Sequence, residues 1–165
     1  MAADPNASSI FPAGTRAPDF TLPSGLGTTV SLKQYRGTPV ILAFYPADWS
    51  PVCGDELALF NEVLDEFKEH DAQLIGISVD GIFCHMAFAE ARKLRFPLLA
   101  DFEPKGAVST LYDSYRKDVG YSKRTLFVID DQGLIAWSYL SPEGSNPGAD
   151  GILKALDSLK NGAAK

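Results

Sequence analysis

The chain has 165 residues, 45% of them hydrophobic and 22% charged, which is the size and balance of one globular domain with a substantial core. Its 15 lysines and arginines against 21 aspartates and glutamates leave a formal charge of -6, which argues against nucleic acid and anionic membrane surfaces as the main partner. Two cysteines and two histidines are too few for a disulfide scaffold or a metal cluster.

Residues 1–15 are rich in Ala, Asn, Ser, Pro and Gly and read as a flexible N-terminal segment, leaving 16–165 as the domain. The segment has neither the basic start nor the apolar run of an export signal, and apolar runs elsewhere are strand-sized, so the expectation is a cytoplasmic protein without a membrane span. Ala17–Leu32 holds two alternating runs around Pro23-Ser24-Gly25 and Gly27, an N-terminal β-hairpin. A helical turn over Leu32–Tyr35 follows. Val40–Tyr45 is a nearly continuous apolar run, the pattern of a central strand buried on both faces. After it, Leu57, Phe60, Val63, Leu64 and Phe67 recur at helical spacing and predict one helix to about His70.

Gln73–Val79 is a second buried strand, and Asp80 is placed to cap a helix from Ile82 to Lys93. Phe96–Ala100 reads as a third strand and Ala107–Tyr112 as a short helix. Arg124–Asp130 and Leu134–Tyr139 flank the turn Asp131-Gln132-Gly133, a hairpin, and Gly151–Leu159 closes the chain as a helix. This order gives an α/β fold: a central mixed β-sheet flanked by helices, its parallel strands made by the crossovers and its antiparallel hairpin at one edge.

The chemistry concentrates in Phe44–Asp55. Ser50 is an N-cap residue, Pro51 suits the first helical position, and Cys53 falls in the first turn, where free backbone N–H groups and the helix dipole favour thiolate over thiol. Such a sulfur is a nucleophile. The segment Pro46-Ala47-Asp48-Trp49-Ser50-Pro51-Val52-Cys53 resembles the peroxiredoxin signature Pro-x-x-x-Thr/Ser-x-x-Cys, with Ser50 where threonine is commoner. Glu56 follows where many members carry an acidic residue, and Lys123-Arg124-Thr125-Leu126-Phe127 resembles the segment with the family's active-site arginine. The resemblance runs from Ala17 to Leu159, and points within the family to bacterioferritin-comigratory-like or one-cysteine-like members.

The resemblance implies a thioredoxin-like fold and a thiol peroxidase that reduces hydrogen peroxide and organic hydroperoxides, with no metal, haem or flavin. Cys53 is then the peroxidatic nucleophile, Pro46 shields the pocket, and Ser50 and Arg124 stabilise charge on sulfur and leaving oxygen. The residue types suit those parts: an arginine is always cationic and offers several donors in a fixed fork, and a serine hydroxyl both donates and accepts. Arg124 also reads as a surface cation near Asp130 or Asp131, Glu56 as a first-turn charge or an orienter of Arg124, and Ser50 as a cap alone. Trp49 and Phe44 read as packing and pocket walls.

A sulfenic acid on Cys53 needs a second thiol. Cys84 lies 84 − 53 = 31 residues on, and the resemblance implies a resolving cysteine at similar spacing, recycled by thioredoxin or a similar dithiol. Cys84 also shares a helical face with Ala87, Phe88 and Ala91, where a small packing residue belongs, which leaves a one-cysteine peroxidase as the alternative. A peroxide sensor with redox-dependent binding is a third reading, while the absence of a C-x-x-C pair at Cys53 weakens a disulfide oxidoreductase. His85 reads as exposed or satisfied more readily than as a base for Cys84. The resemblance implies a homodimer or monomer, with Phe44, Trp49 and Tyr121 as candidate surface aromatics.

Overall fold

Val40–Phe44 forms a strand with every residue buried, and its alternation assigns its neighbours to two faces. The computed structural model describes residues 10–162, so the greater part of the expected flexible segment 1–15 lies outside the described residues. In chain order the strands are β1 (Thr15–Arg16), β2 (Thr21–Gly25), β3 (Thr28–Ser31), β4 (Val40–Phe44), β5 (Gln73–Ser78), β6 (Leu98–Ala100), β7 (Tyr115–Arg116), β8 (Tyr121–Ser122), β9 (Thr125–Ile129) and β10 (Leu134–Leu140). The helices are α1 (Pro51–Glu62), α2 (Leu64–Lys68), α3 (Ile82–Arg92), α4 (Ala107–Leu111) and α5 (Asp150–Gly162), with a 3₁₀ turn at Leu32–Tyr35.

Six strands form the main sheet in the order β1-β10-β9-β4-β5-β6. The pairs β4–β5 and β5–β6 are parallel, while β4–β9, β9–β10 and β10–β1 are antiparallel. This is the mixed sheet that crossovers through α1, α2 and α3 and a tight hairpin at residues 130–133 dictate. On one face Ile41, Ala43, Leu74, Leu126 and Val128 pack with Leu57, Phe60, Phe67, Phe88, Ile152 and Leu156 from the helices. On the other Leu42, Phe44, Ile75, Ile77 and Phe127 pack with Phe20 and Leu22 of the N-terminal hairpin and with Val108 and Tyr112.

The structure departs from the sequence reading in several places. The expected single helix to His70 breaks at Val63 (φ -92°, ψ 10°), where the Glu66 N–H bonds the Val63 carbonyl in a tightened turn. Helix α3 is capped at Gly81, and Asp80 makes no cap bond there. The third strand starts at Leu98 instead of Phe96, since Pro97 has no N–H to donate to a ladder. Phe44 is a core residue and no surface aromatic: it is wholly buried, 5.2 Å from the Tyr112 ring and 5.8 Å from Phe127. The short hairpin of β7 and β8 and the strand β1 are additions; the Ile10 and Phe11 N–H groups both bond the Ser138 hydroxyl, and Gly14 N–H bonds the Ile135 carbonyl.

Phe127 meets Phe11, Phe44 and Tyr112 at centroid distances of 5.1–6.0 Å, and truncating a buried aromatic leaves a cavity as well as losing transfer energy. Phe127→Ala is therefore expected to lose about 3–5 kcal/mol in guanidinium melts, and a loss below about 1 kcal/mol would contradict this packing.

Candidate active site

The β4–β9 register places the site. Phe44, the last residue of β4, pairs with Thr125, the first of β9, so the chain just beyond Phe44 runs beside Arg124. Tyr45 and Pro46 lead out of the sheet, and Ser50 (φ -64°, ψ 136°) starts α1 with Pro51 in its first turn. The first helical bond runs from the Gly54 N–H to the Ser50 carbonyl at 2.8 Å. Cys53 sits in that first turn, wholly buried, where backbone N–H groups have no intrahelical acceptor.

Arg124 is almost fully buried at 5% exposure, and its carbonyl is pinned by the Ser141 N–H. Its Nη1 donates to Cys53 Sγ at 3.3 Å and to Glu56 Oε2 at 2.5 Å. Cys53 and Glu56 are one helical turn apart, so one guanidinium nitrogen reaches both. Two polar atoms around this contact, Glu56 Oε1 and Arg124 Nε, are buried with no hydrogen-bond partner among the described residues. Burial works against the charge of Arg124, but Glu56 and the Cys53 sulfur more than offset it. The Glu56 carboxyl is pushed up from 4.5 to about 7, by burial first, with Arg124 pulling the other way.

Pro46 and Arg124 lie on the wall of a groove of about 970 Å³, shared with Tyr115, Tyr121, Leu140 and Pro142. Ser50 occupies the N-cap position, but its hydroxyl makes no cap bond. Trp49 is half exposed, its ring edge-on to Phe88 at 5.1 Å. Its φ of 66° puts a bulky residue in the left-handed region, which costs on the order of 1–2 kcal/mol.

Cys84 is not in this cluster. It lies in the first turn of α3, partly buried, its Sγ 3.9 Å from Asp80 Oδ1, and burial, then Asp48 and Asp80, push its thiol up to about 11. Both cysteines are free thiols. His85 is satisfied by other partners: it is buried, with Nδ1 2.7 Å from Asp48 Oδ2 and Nε2 3.1 Å from the Leu99 carbonyl.

The sequence reading missed Asp48, which the Tyr45 hydroxyl bonds at 2.7 Å and whose own N–H bonds Asp80 Oδ2 at 2.9 Å. The available signal was topological, since the loops after neighbouring parallel strands such as β4 and β5 must meet. Asp48, Asp80 and Cys84 offer atoms within 4.8 Å of one another, but both Asp48 oxygens and Asp80 Oδ2 already accept hydrogen bonds.

A family model described as the AhpC/TSA family matches residues 13–138. The chain belongs to this family; it is a peroxiredoxin. A thioredoxin peroxidase from Echinococcus granulosus is 36% identical over 157 residues, covering 89% of this chain and 80% of that protein. Peroxiredoxin-1 from Gallus gallus is 35% identical over 133 residues, 74% of this chain and 66% of the relative, so the peroxiredoxin described here spans about two thirds of that protein's length. Among solved structures, the peroxidoxin BcpB from Mycobacterium tuberculosis superposes with a TM-score of 0.81 at 34% identity, over 89% of this chain and 97% of that one. The peroxiredoxin thus has the thioredoxin-like fold, with helices on a mixed sheet.

Because the folded peroxiredoxin holds a proton on Glu56 that the unfolded chain has released between pH 4.5 and about 7, this residue's contribution to stability is full below pH 4.5 and is lost as pH rises through 7. Guanidinium melts of wild type and the non-titrating Glu56→Gln are expected to show the difference shifting against wild type by on the order of 1–3 kcal/mol from pH 4.5 to 8. A pH-independent difference would contradict the buried carboxyl.

Proposed function

We propose that this thiol-dependent peroxidase reduces hydrogen peroxide and organic hydroperoxides through Cys53 as the peroxidatic nucleophile. The observation that carries the reading is the 3.3 Å contact from Arg124 Nη1 to Cys53 Sγ in a buried site. In the reaction the thiolate attacks one peroxide oxygen, an S–O bond forms as the O–O bond breaks, and the departing hydroxide or alkoxide takes up a proton to leave as water or alcohol. Charge moves from sulfur to the leaving oxygen, and in this reading Arg124 follows it: Nη1 lies 3.3 Å from the sulfur, while Nε, without a partner among the described residues, is a second donor for the peroxide. Ser50, whose hydroxyl is not spent on a cap, is a further donor, and Pro46 on the groove wall keeps water from the reacting oxygen. Glu56 orients Arg124. The apolar groove residues Tyr121, Leu140 and Pro142 give room for the organic part of a hydroperoxide.

In this reading Cys84 condenses with the Cys53 sulfenic acid, and thioredoxin or a similar dithiol reduces the disulfide. The name of the Echinococcus relative supports that reductant, and in this reading the enzyme is cytoplasmic and acts as a homodimer or monomer. Among the described residues no helix is long and apolar enough to cross a membrane. The separate environments of the two sulfurs, with Cys84 at an acidic pair, favour a second reading, a one-cysteine peroxiredoxin resolved by an outside thiol.

Intact mass under denaturing conditions with thiol alkylation, after one equivalent of hydrogen peroxide, separates the two. Loss of two hydrogens without alkylation in wild type, and a trappable sulfenic acid in Cys84→Ser, supports Cys84 as resolver, whereas a sulfenic acid in both makes this a one-cysteine enzyme. No reaction in either removes Cys53 from its role. Arg124→Gln is expected to slow Cys53 oxidation by about 10²–10³-fold in stopped-flow traces, and a loss below about threefold would assign the arginine to structure alone.

A further inference from the structure

Asp48 is a buried carboxylate that no step of the peroxide chemistry uses. Its side chain is wholly enclosed, and each of its oxygens has a donor: the Tyr45 hydroxyl on Oδ1 and His85 Nδ1 on Oδ2. Its backbone N–H bonds Asp80 Oδ2, which also accepts the Ser78 hydroxyl. His85 is the neighbour of Cys84 on α3 and is itself fixed to β6 through the Leu99 carbonyl. Asp48 therefore ties the loop that precedes Cys53 to the start of the helix that carries Cys84.

The loop between these anchors is under strain. Trp49, with its positive φ, lies between Asp48 and Ser50, whose carbonyl receives the first bond of α1. Held at both ends, Trp49 cannot relax to the ordinary backbone region; with the Asp48 end released, it can, and the first turn of α1 loses its fixed start. That turn holds Cys53 on Arg124, while the Cys84 sulfur sits at Asp80. A disulfide needs Cα atoms within about 7 Å and sulfurs in contact, so each sulfur must leave its present partner.

Resting on the assignment of Cys53 and Cys84 above, we propose that Asp48 is a positioning residue that latches the Pro46–Ser50 loop to α3, and that its release sets the rate at which the Cys53 sulfenic acid is resolved. In that step the S–S bond forms, the Cys53 S–O bond breaks, and the departing hydroxide takes the Cys84 proton as water. No outside reagent enters. A tight latch keeps Cys53 in the pocket, where the sulfenic acid meets a second peroxide and becomes sulfinic acid; a loose one delivers it to Cys84.

The test compares the full chain with Asp48→Asn, which keeps the shape and removes the charge, and Tyr45→Phe, which removes one hydrogen bond to the same carboxylate and leaves the backbone contacts in place. Rapid quench with a sulfenic acid trap and mass readout follows Cys53 oxidation and disulfide formation separately, and sulfinic acid is measured at excess peroxide. Resolution is expected to speed up by about tenfold in Asp48→Asn and about threefold in Tyr45→Phe, with oxidation of Cys53 slower and less sulfinic acid. Resolution that is unchanged or slower in both variants overturns the latch, because a merely structural role slows both steps together, and so does resolution faster in Asp48→Asn alone, because removing the Asp48 charge by itself frees the Cys84 thiolate. Wild type that forms no disulfide overturns the resolving role of Cys84 and the latch with it, whereas a disulfide formed at equal rates in all three proteins overturns the latch alone.

Discussion

One nitrogen, Nη1 of Arg124, serves both the sulfur of Cys53 and the carboxylate of Glu56, and the arrangement of the peroxiredoxin follows from keeping that cation buried. A guanidinium removed from water needs acceptors around it, and an isolated one costs several kcal/mol. Glu56 supplies a carboxylate and the Cys53 sulfur a second acceptor. The sheet supplies the position, because β4 and β9 lie side by side and end Phe44 against Thr125. The helix supplies the spacing, because residues three apart share a face. Neither alone would bring residues 71 positions apart into contact.

Glu56 is the member of the trio whose charge is least secure. Its carboxyl, pushed up to about 7, changes ionisation near neutral pH. When Glu56 is protonated the guanidinium has lost its carboxylate partner; when it is ionised the buried ion pair is complete. The buried, unpartnered Oε1 and Nε atoms are where hydrogen bonding in this cluster is incomplete, and incomplete satisfaction inside a protein is commonly found where a reacting molecule enters.

Much of this was legible in the sequence. The run Val40–Tyr45 announced a two-face buried strand, the proline after Ser50 marked the helix start, and Cys53 fell inside the first turn, where the structure has it. The two crossovers and the hairpin at Asp131-Gln132-Gly133 were enough for a mixed sheet. What escaped was set by contacts between distant segments. Asp80 looks like a cap because caps are local, yet its carboxylate answers to Asp48, 32 residues away. Phe44 looks available because a strand end borders a loop, yet Tyr112 and Phe127 close over it. The break at Val63 has no glycine or proline to announce it, and β1 exists only because β10 is there to receive it.

The sulfur of Cys53 has no exposed surface at all. An enclosed nucleophile discriminates among oxidants by admission before it discriminates by reactivity. Bulky thiol reagents are refused in the folded state, and whatever reaches the sulfur must be small enough to pass the residues that cover it. Which reagents reach Cys53 is therefore set by the fold around the sulfur before the reactivity of the sulfur decides among them.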